Sequence, residues 1–123
     1  MIKVKHFLDE VESDDGQRLW VEPIGLTKDL CEWCEVSHVL AHLGPPVRLW
    51  NWYEQHPDGY DNFRAEYHEF LKNGPYHEAL QELARIAQRE TFTLLHQCDD
   101  ALHNSAMALY EYLCELQAYC PPE

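Results

Sequence analysis

Phe92-Thr93-Leu94-Leu95-His96-Gln97-Cys98-Asp99-Asp100 is the stretch that decides the fold. Its first half is too apolar for a strand with one solvated face, and its second half turns polar at once. A buried strand that hands over to a helix points to a parallel sheet covered by helices. The helix to come is expected to open near His103 and Asn104, with Asp99 or Asp100 as its cap. Its apolar stripe is Leu102, Ala106, Leu109, Leu113 and Leu116. In open α/β sheets ligands bind in the crevice beyond the carboxyl ends of the strands, so polar groups at this handover are the first site candidates.

Upstream of that strand the spacing is helical. Phe63, Tyr67, Phe70 and Leu71 form one stripe, which Asn73-Gly74-Pro75 ends. Ala79, Leu80, Leu83, Ala84 and Ala87 give the next helix its apolar face. At the other end of the chain, Ile2, Val4 and His6 alternate with Lys3, Lys5 and Phe7, which predicts a first strand over residues 2–7. A second strand is expected around residues 18–21, broken by Pro23 and Gly25, with Thr27 capping a brief helical turn. Between the two strands, the acidic run Asp9-Glu10-Val11-Glu12-Ser13-Asp14-Asp15-Gly16 reads as an unpacked loop. Residues 30–43 fit either a helix or a strand. A strand over residues 36–40 is preferred, since the segment is short, holds Val36 and Val39 and ends at Gly44-Pro45-Pro46. Strands separated by helical crossovers predict one α/β domain over residues 1–123, a small and mainly parallel sheet flanked by helices in a Rossmann-like three-layer arrangement.

Composition narrows the function classes. A hydrophobic content of 46% in 123 residues suits a single core. No run approaches the roughly 18–20 apolar residues of a membrane span. Met1-Ile2-Lys3-Val4-Lys5-His6 lacks the apolar block of a secretory signal, so a cytoplasmic location is expected. The net charge of -13, from 22 acidic and 9 basic side chains, opposes nucleic-acid backbones and anionic membranes alike. Five cysteines, Cys31, Cys34, Cys98, Cys114 and Cys120, then read as free thiols or metal ligands. No cofactor is expected, and the tail Tyr119-Cys120-Pro121-Pro122-Glu123 is expected to fray.

Four constellations carry potential chemistry. At the handover, Cys98 precedes a helix amino terminus, with His96, His103 and Asn104 close by. That setting lowers a thiol's pKa, although the charges of Asp99 and Asp100 act the other way. Cys31 and Cys34 with His38 and His42 match a zinc set in type, but they come from one segment rather than two. Trp50, Trp52, Tyr53, Tyr60, Phe63, Tyr67 and Phe70 read chiefly as core. Because Trp50 and Trp52 cannot both face inward on a helix, one of them is free to line a pocket. Glu22 ends the second strand, and in a parallel sheet it lies on the same edge as Cys98 and Asp99.

Several of these spacings resemble one family. Trp52-Tyr53, His56-Pro57, Tyr60, Phe63 and Tyr67 are similar to a helical segment of the bacterial YeaO-like family, a domain of unknown function (number 488). Thr93-Leu94-Leu95, Asp99 and His103-Asn104-Ser105-Ala106 look like its ending. Asp15-Gly16-Gln17-Arg18, Gly25-Leu26-Thr27-Lys28 and Ile2-Lys3-Val4-Lys5 look like its earlier stretches. The chain departs from the pattern at Glu22-Pro23-Ile24-Gly25, where the family carries two arginines. It departs again at Gly44-Pro45-Pro46 and at Ser105, which replaces a second histidine. The resemblance implies an α/β fold in a divergent member and brings no established activity with it.

The expectation is a domain that binds a small molecule or a protein partner at the sheet's carboxyl edge, with Glu22, Cys98, Asp99, His103 and Asn104 as the pocket wall. Two alternatives are an enzyme using Cys98 or a His/carboxylate pair at that edge, and a zinc protein using Cys31, Cys34, His38 and His42.

Overall fold

The computed structural model describes residues 1–119; the last four residues of the tail, Cys120 among them, lie outside it. Its elements in chain order are β1 (Ile2–His6), β2 (Gln17–Trp20), α1 (Lys28–Trp33), β3 (His38–Val39), a 3-10 turn (Ala41–Leu43), α2 (Val47–Gln55), α3 (Tyr60–Asn73), α4 (His77–Arg89), β4 (Phe92–His96) and α5 (Ser105–Tyr119). The four strands form one sheet in the order β1-β4-β2-β3, and every pair is parallel. The late strand β4 therefore sits between the two earliest ones, and its residues Phe92–His96 are all buried. The expected α/β fold, a small parallel sheet with helices around it, is what the chain adopts.

Right-handed crossovers explain how the two faces are covered. The connections β1 to β2 and β2 to β3 run one way across the sheet, and β3 to β4 runs back. Residues 7–16 and α1 therefore fall on one face, and α2–α4 fall on the other. On the helical face Ile2, Val4, Leu19, Phe92 and Leu94 pack with Phe63, Tyr67 and Leu71 of α3, Leu80 of α4, and Leu109 and Leu113 of α5. Tyr67 keeps its hydroxyl in this core by donating to the Leu43 carbonyl at 2.6 Å.

The opposite face is organised by a charge. Asp15 is 1% exposed, and its carboxylate meets Lys3 Nζ at 2.6 Å, Lys5 Nζ at 3.1 Å and Arg18 Nη1 at 2.6 Å. Lys3 and Lys5 project from β1 and Arg18 from β2, so one anion ties the two strands that flank β4. Thr93 of β4 donates its hydroxyl to the Asp15 carbonyl at 2.8 Å, and Arg18 Nε donates to the Cys34 carbonyl at the end of α1. Gly16 makes this approach possible. Its φ is +65°, and a Cβ there would fall 1.8 Å from the Thr91 carbonyl oxygen. Burial alone would raise the Asp15 carboxyl, but Lys3, the Glu12 amide, Lys5 and Arg18 together hold it well below the usual carboxylate range.

Three local expectations are corrected. The acidic run is a loop, yet it does pack, because the β1 and β2 cations supply counter-charge for its last carboxylate. Residues 30–43 are mostly not strand. Thr27 Oγ1 accepts from Leu30 N at 3.2 Å and starts α1, and only His38–Val39 pairs with β2 before the 3-10 turn. Ala79 and Leu102 lie exposed rather than on apolar faces.

Removing the anion leaves Arg18 charged and buried. Asp15→Ala is expected to destabilise the fold by about 3–5 kcal/mol in urea unfolding at neutral pH. A loss below about 1 kcal/mol would mean that the cluster behaves like an exposed ion pair.

Candidate functional site

The register that pairs Trp20 with Leu95 carries on past both strand ends and sets Glu22 beside Gln97. Gln97 N donates to Glu22 Oε1 at 3.1 Å, and Trp50 Nε1, from α2, donates to Glu22 Oε2 at 2.8 Å. The Ser105 hydroxyl, at the start of α5, also reaches this carboxylate. Glu22 is only 2% exposed. Its burial raises the carboxyl pKa, and the neutral donors Gln97, Ser105 and Trp50 offset this only in part, while the Glu54 charge adds to it. Glu22 thus lies beside Ser105, the first residue of α5.

Beyond this carboxylate lies a cleft of about 150 Å³, walled by Glu22, Trp50, Tyr53, Glu54, Pro57, Gln97, Cys98, Asp100, Asn104 and Ser105. It occupies the point where the chain leaves β2 toward one face and β4 toward the other, the switch point of an open α/β sheet. Gly25 lets the following turn close over its rim. Its φ is +99°, and a Cβ there would lie 2.2 Å from Gln97 Oε1. The Gln97 side chain donates to the Ile24 carbonyl at 2.7 Å.

Asn104, not Asp99 or Asp100, caps α5. Its Oδ1 accepts from Met107 N at 2.8 Å, and its carbonyl accepts from Ala108 N. Asp100 closes the preceding turn instead, with Oδ1 accepting from Leu102 N at 2.9 Å and His103 N at 3.1 Å. Asx-type turns of this sort compete with capping for the same residue types. Asp100 Oδ2 pairs with His103 Nδ1 at 2.8 Å, and the Tyr53 hydroxyl donates to the His103 carbonyl at 2.8 Å.

Of the five expected wall residues, Glu22, Cys98 and Asn104 line the cleft. His103 does not line it: its carbonyl accepts from the Tyr53 hydroxyl, and its ring turns to the Tyr60 edge, with centroids 4.9 Å apart. Asp99 faces away, into a second depression of about 330 Å³ lined by Val4, His6, Asp9, His96, Cys98, Asp99 and Ala101. The four metal candidates do not converge. Cys34 is buried at the end of α1, His38 is exposed on β3, and the exposed His42 rests against Tyr76. Among the described residues the acidic trio Glu12, Asp14 and Asp15 is the single cluster with metal-like spacing, and its Asp15 is already neutralised by Lys3, Lys5 and Arg18.

Trp50, Tyr53, Glu54, Pro57, Gln97, Asp100 and Ser105 line the cleft without being among the expected wall residues. Trp50 is the tryptophan that leaves the core, whereas Trp52 stacks on His56 and packs against the core. The spacing of the two tryptophans carried that signal, but nothing local marks Glu54.

Cys98 is poorly set up as a nucleophile. Burial raises its thiol pKa first, the Asp100 backbone amide lowers it, and the charges of Asp100, Glu22 and Asp99 raise it further. Iodoacetamide is expected to label Cys98 more slowly at pH 7 than a free cysteine, with the rate climbing steeply above pH 9. Peptide mass spectrometry reads this directly, and labelling faster than the free thiol would contradict it.

His96 offers a second pH-dependent readout. Burial, followed by the neighbouring His6 charge, pushes its imidazole down to about 4 from 6.5, and its Nδ1 has no hydrogen-bond partner among the described residues. The unfolded chain takes up this proton below pH 6.5 and the native fold does not, so stability falls as pH drops through that window. Urea titrations from pH 6.5 to about 5, above the carboxylate range, are expected to show this slope and its flattening in His96→Gln. An unchanged slope in the variant would assign the effect to another group.

The fold and cleft define a small α/β domain with one polar crevice at the switch point of its sheet. Sequence comparison places it further: the profile described as the inactive DUF488-N3 subclade matches residues 1–119, and the chain belongs to that family. Uncharacterised proteins of Mycobacterium bovis and Mycobacterium tuberculosis are 30% identical to it over 98 residues, which cover 75% of this chain and 75% of theirs. No solved structure matches the chain. Among the described residues no helix is long and apolar enough to cross a membrane.

Proposed function

We propose that this domain binds a small molecule in the cleft between the carboxyl ends of β2 and β4 and catalyses no reaction on it. The reading rests chiefly on one observation. A buried carboxylate, Glu22, an indole, Trp50, and the amino end of α5 converge on a concave surface at the sheet's switch point. The wall is drawn from α2, from the first residue of α5 and from the segments that follow β2 and β4.

The absence of catalysis is argued from the wall's chemistry. Its thiol has a raised pKa, and its buried carboxylate is already satisfied by three neutral donors. The nearest imidazole, His103, is engaged by Asp100 and turned toward Tyr60. Among the described residues no nucleophile with an adjacent base lines the cleft. The description of the family as inactive agrees with this reading.

A thermal-shift screen of small metabolites tests the proposal when it is run in parallel on the wild type and on Cys98→Phe, which fills the cleft from its rim. Hits are expected to raise the wild-type Tm and to leave the variant unmoved. At a ligand concentration of one hundred times Kd the gain is about 2.7 kcal/mol. Circular dichroism of the variant checks that it is folded. Equal shifts in both proteins would put the binding elsewhere and overturn the proposal.

A further inference from the structure

Resting on that reading of the cleft, we infer that its ligand class is a small organic cation, an ammonium group carried on an apolar or aromatic body. The wall holds three carboxylates, Glu22, Glu54 and Asp100, and no lysine or arginine. Asp100 already has a partner in His103. Among the described residues Glu22 has none of opposite charge, since its donors Trp50, Gln97 and Ser105 are all neutral. When ionised, a buried carboxylate bonded only to neutral groups lacks a counter-charge, and a cation entering the cleft would supply one. Glu54 stands close enough for its charge to be felt at Glu22, so the two act on one ligand.

The same geometry argues against an anion. Helix amino termini attract anions, but here the amino end of α5 is already occupied, by Glu22 through Ser105 and by Asn104 as its cap. The aromatic part of the wall suits the ligand's body. Trp50 spends its N–H on Glu22, and its ring lines the cleft for apolar and cation–π contact, while Tyr53 spends its hydroxyl on the His103 carbonyl and one ring face on Phe63, with centroids 4.5 Å apart.

Three probes of one shape and different charge decide the matter: benzylammonium, benzyl alcohol and benzoate, each titrated into 15N-labelled protein. Benzylammonium is expected to shift the Gln97 amide and Trp50 indole signals saturably, with the other two far weaker. Glu54→Gln, an exposed position that leaves the core untouched, should weaken benzylammonium several-fold, and Glu22→Gln by about tenfold or more. Benzyl alcohol or benzoate binding as tightly at the same two signals would overturn the cation assignment and leave the cleft a ligand site. Silence of both signals to all three probes would overturn it as well, while the metabolite screen above decides separately whether the cleft binds anything. Unchanged benzylammonium affinity in the folded Glu54→Gln protein would likewise count against it.

Discussion

The parallel pairing of β2 with β4 is the constraint on which everything else hangs. It joins residues Gln17–Trp20 to a strand more than seventy positions later, and by that register alone Glu22 arrives beside Gln97. A slip of one residue would turn Leu19 and Leu94 out of the helical core and would also take the Glu22 carboxylate off the Gln97 amide. Core and cleft are therefore specified by the same hydrogen-bond ladder. Because β4 is inserted between two strands made earlier in the chain, the cleft cannot form until most of the domain has been assembled.

Two buried carboxylates stand at the opposite ends of β2, and they behave differently because their partners differ. Asp15, ahead of the strand, is surrounded by Lys3, Lys5 and Arg18, which more than offset its desolvation. Glu22, beyond the strand, receives only neutral donors, so burial wins and its carboxyl is raised. The first is built as a brace between β1 and β2. The second lies on a concave surface that also carries Glu54 and Asp100. The carboxylate that meets cations braces the strands, and the one that meets only neutral donors lines the cleft.

What the sequence made legible, and what it hid, follows from the range of the interactions. The apolar run Phe92-Thr93-Leu94-Leu95 identified a fully buried strand, and the alternation in Ile2–His6 separated core-facing Ile2 and Val4 from the lysines. From these, and from the positions of Glu22 and Cys98 at strand ends, the edge carrying the cleft could be read. Local competition defeated the rest. Asp99, Asp100 and Asn104 are all good helix caps, and only the folded turn shows that Asp100 is consumed by Leu102 and His103. The burial of Asp15 depends on cations supplied from two other strands, which an acidic run cannot reveal by itself. Glu54 and Tyr53 reach the site because α2 is laid across the sheet edge, a long-range outcome with no signature in the residues near them.

The most direct test of the account is an NMR pH titration that follows the Gln97 amide and the Trp50 indole N–H together. Both donate to one carboxylate, so both signals are expected to move with a single common midpoint above the ordinary glutamate value of 4.5, and to stop moving in Glu22→Gln. Independent midpoints, or two signals that do not respond to pH, would mean that Glu22 does not bridge β4 and α2 and that the cleft is not built as described.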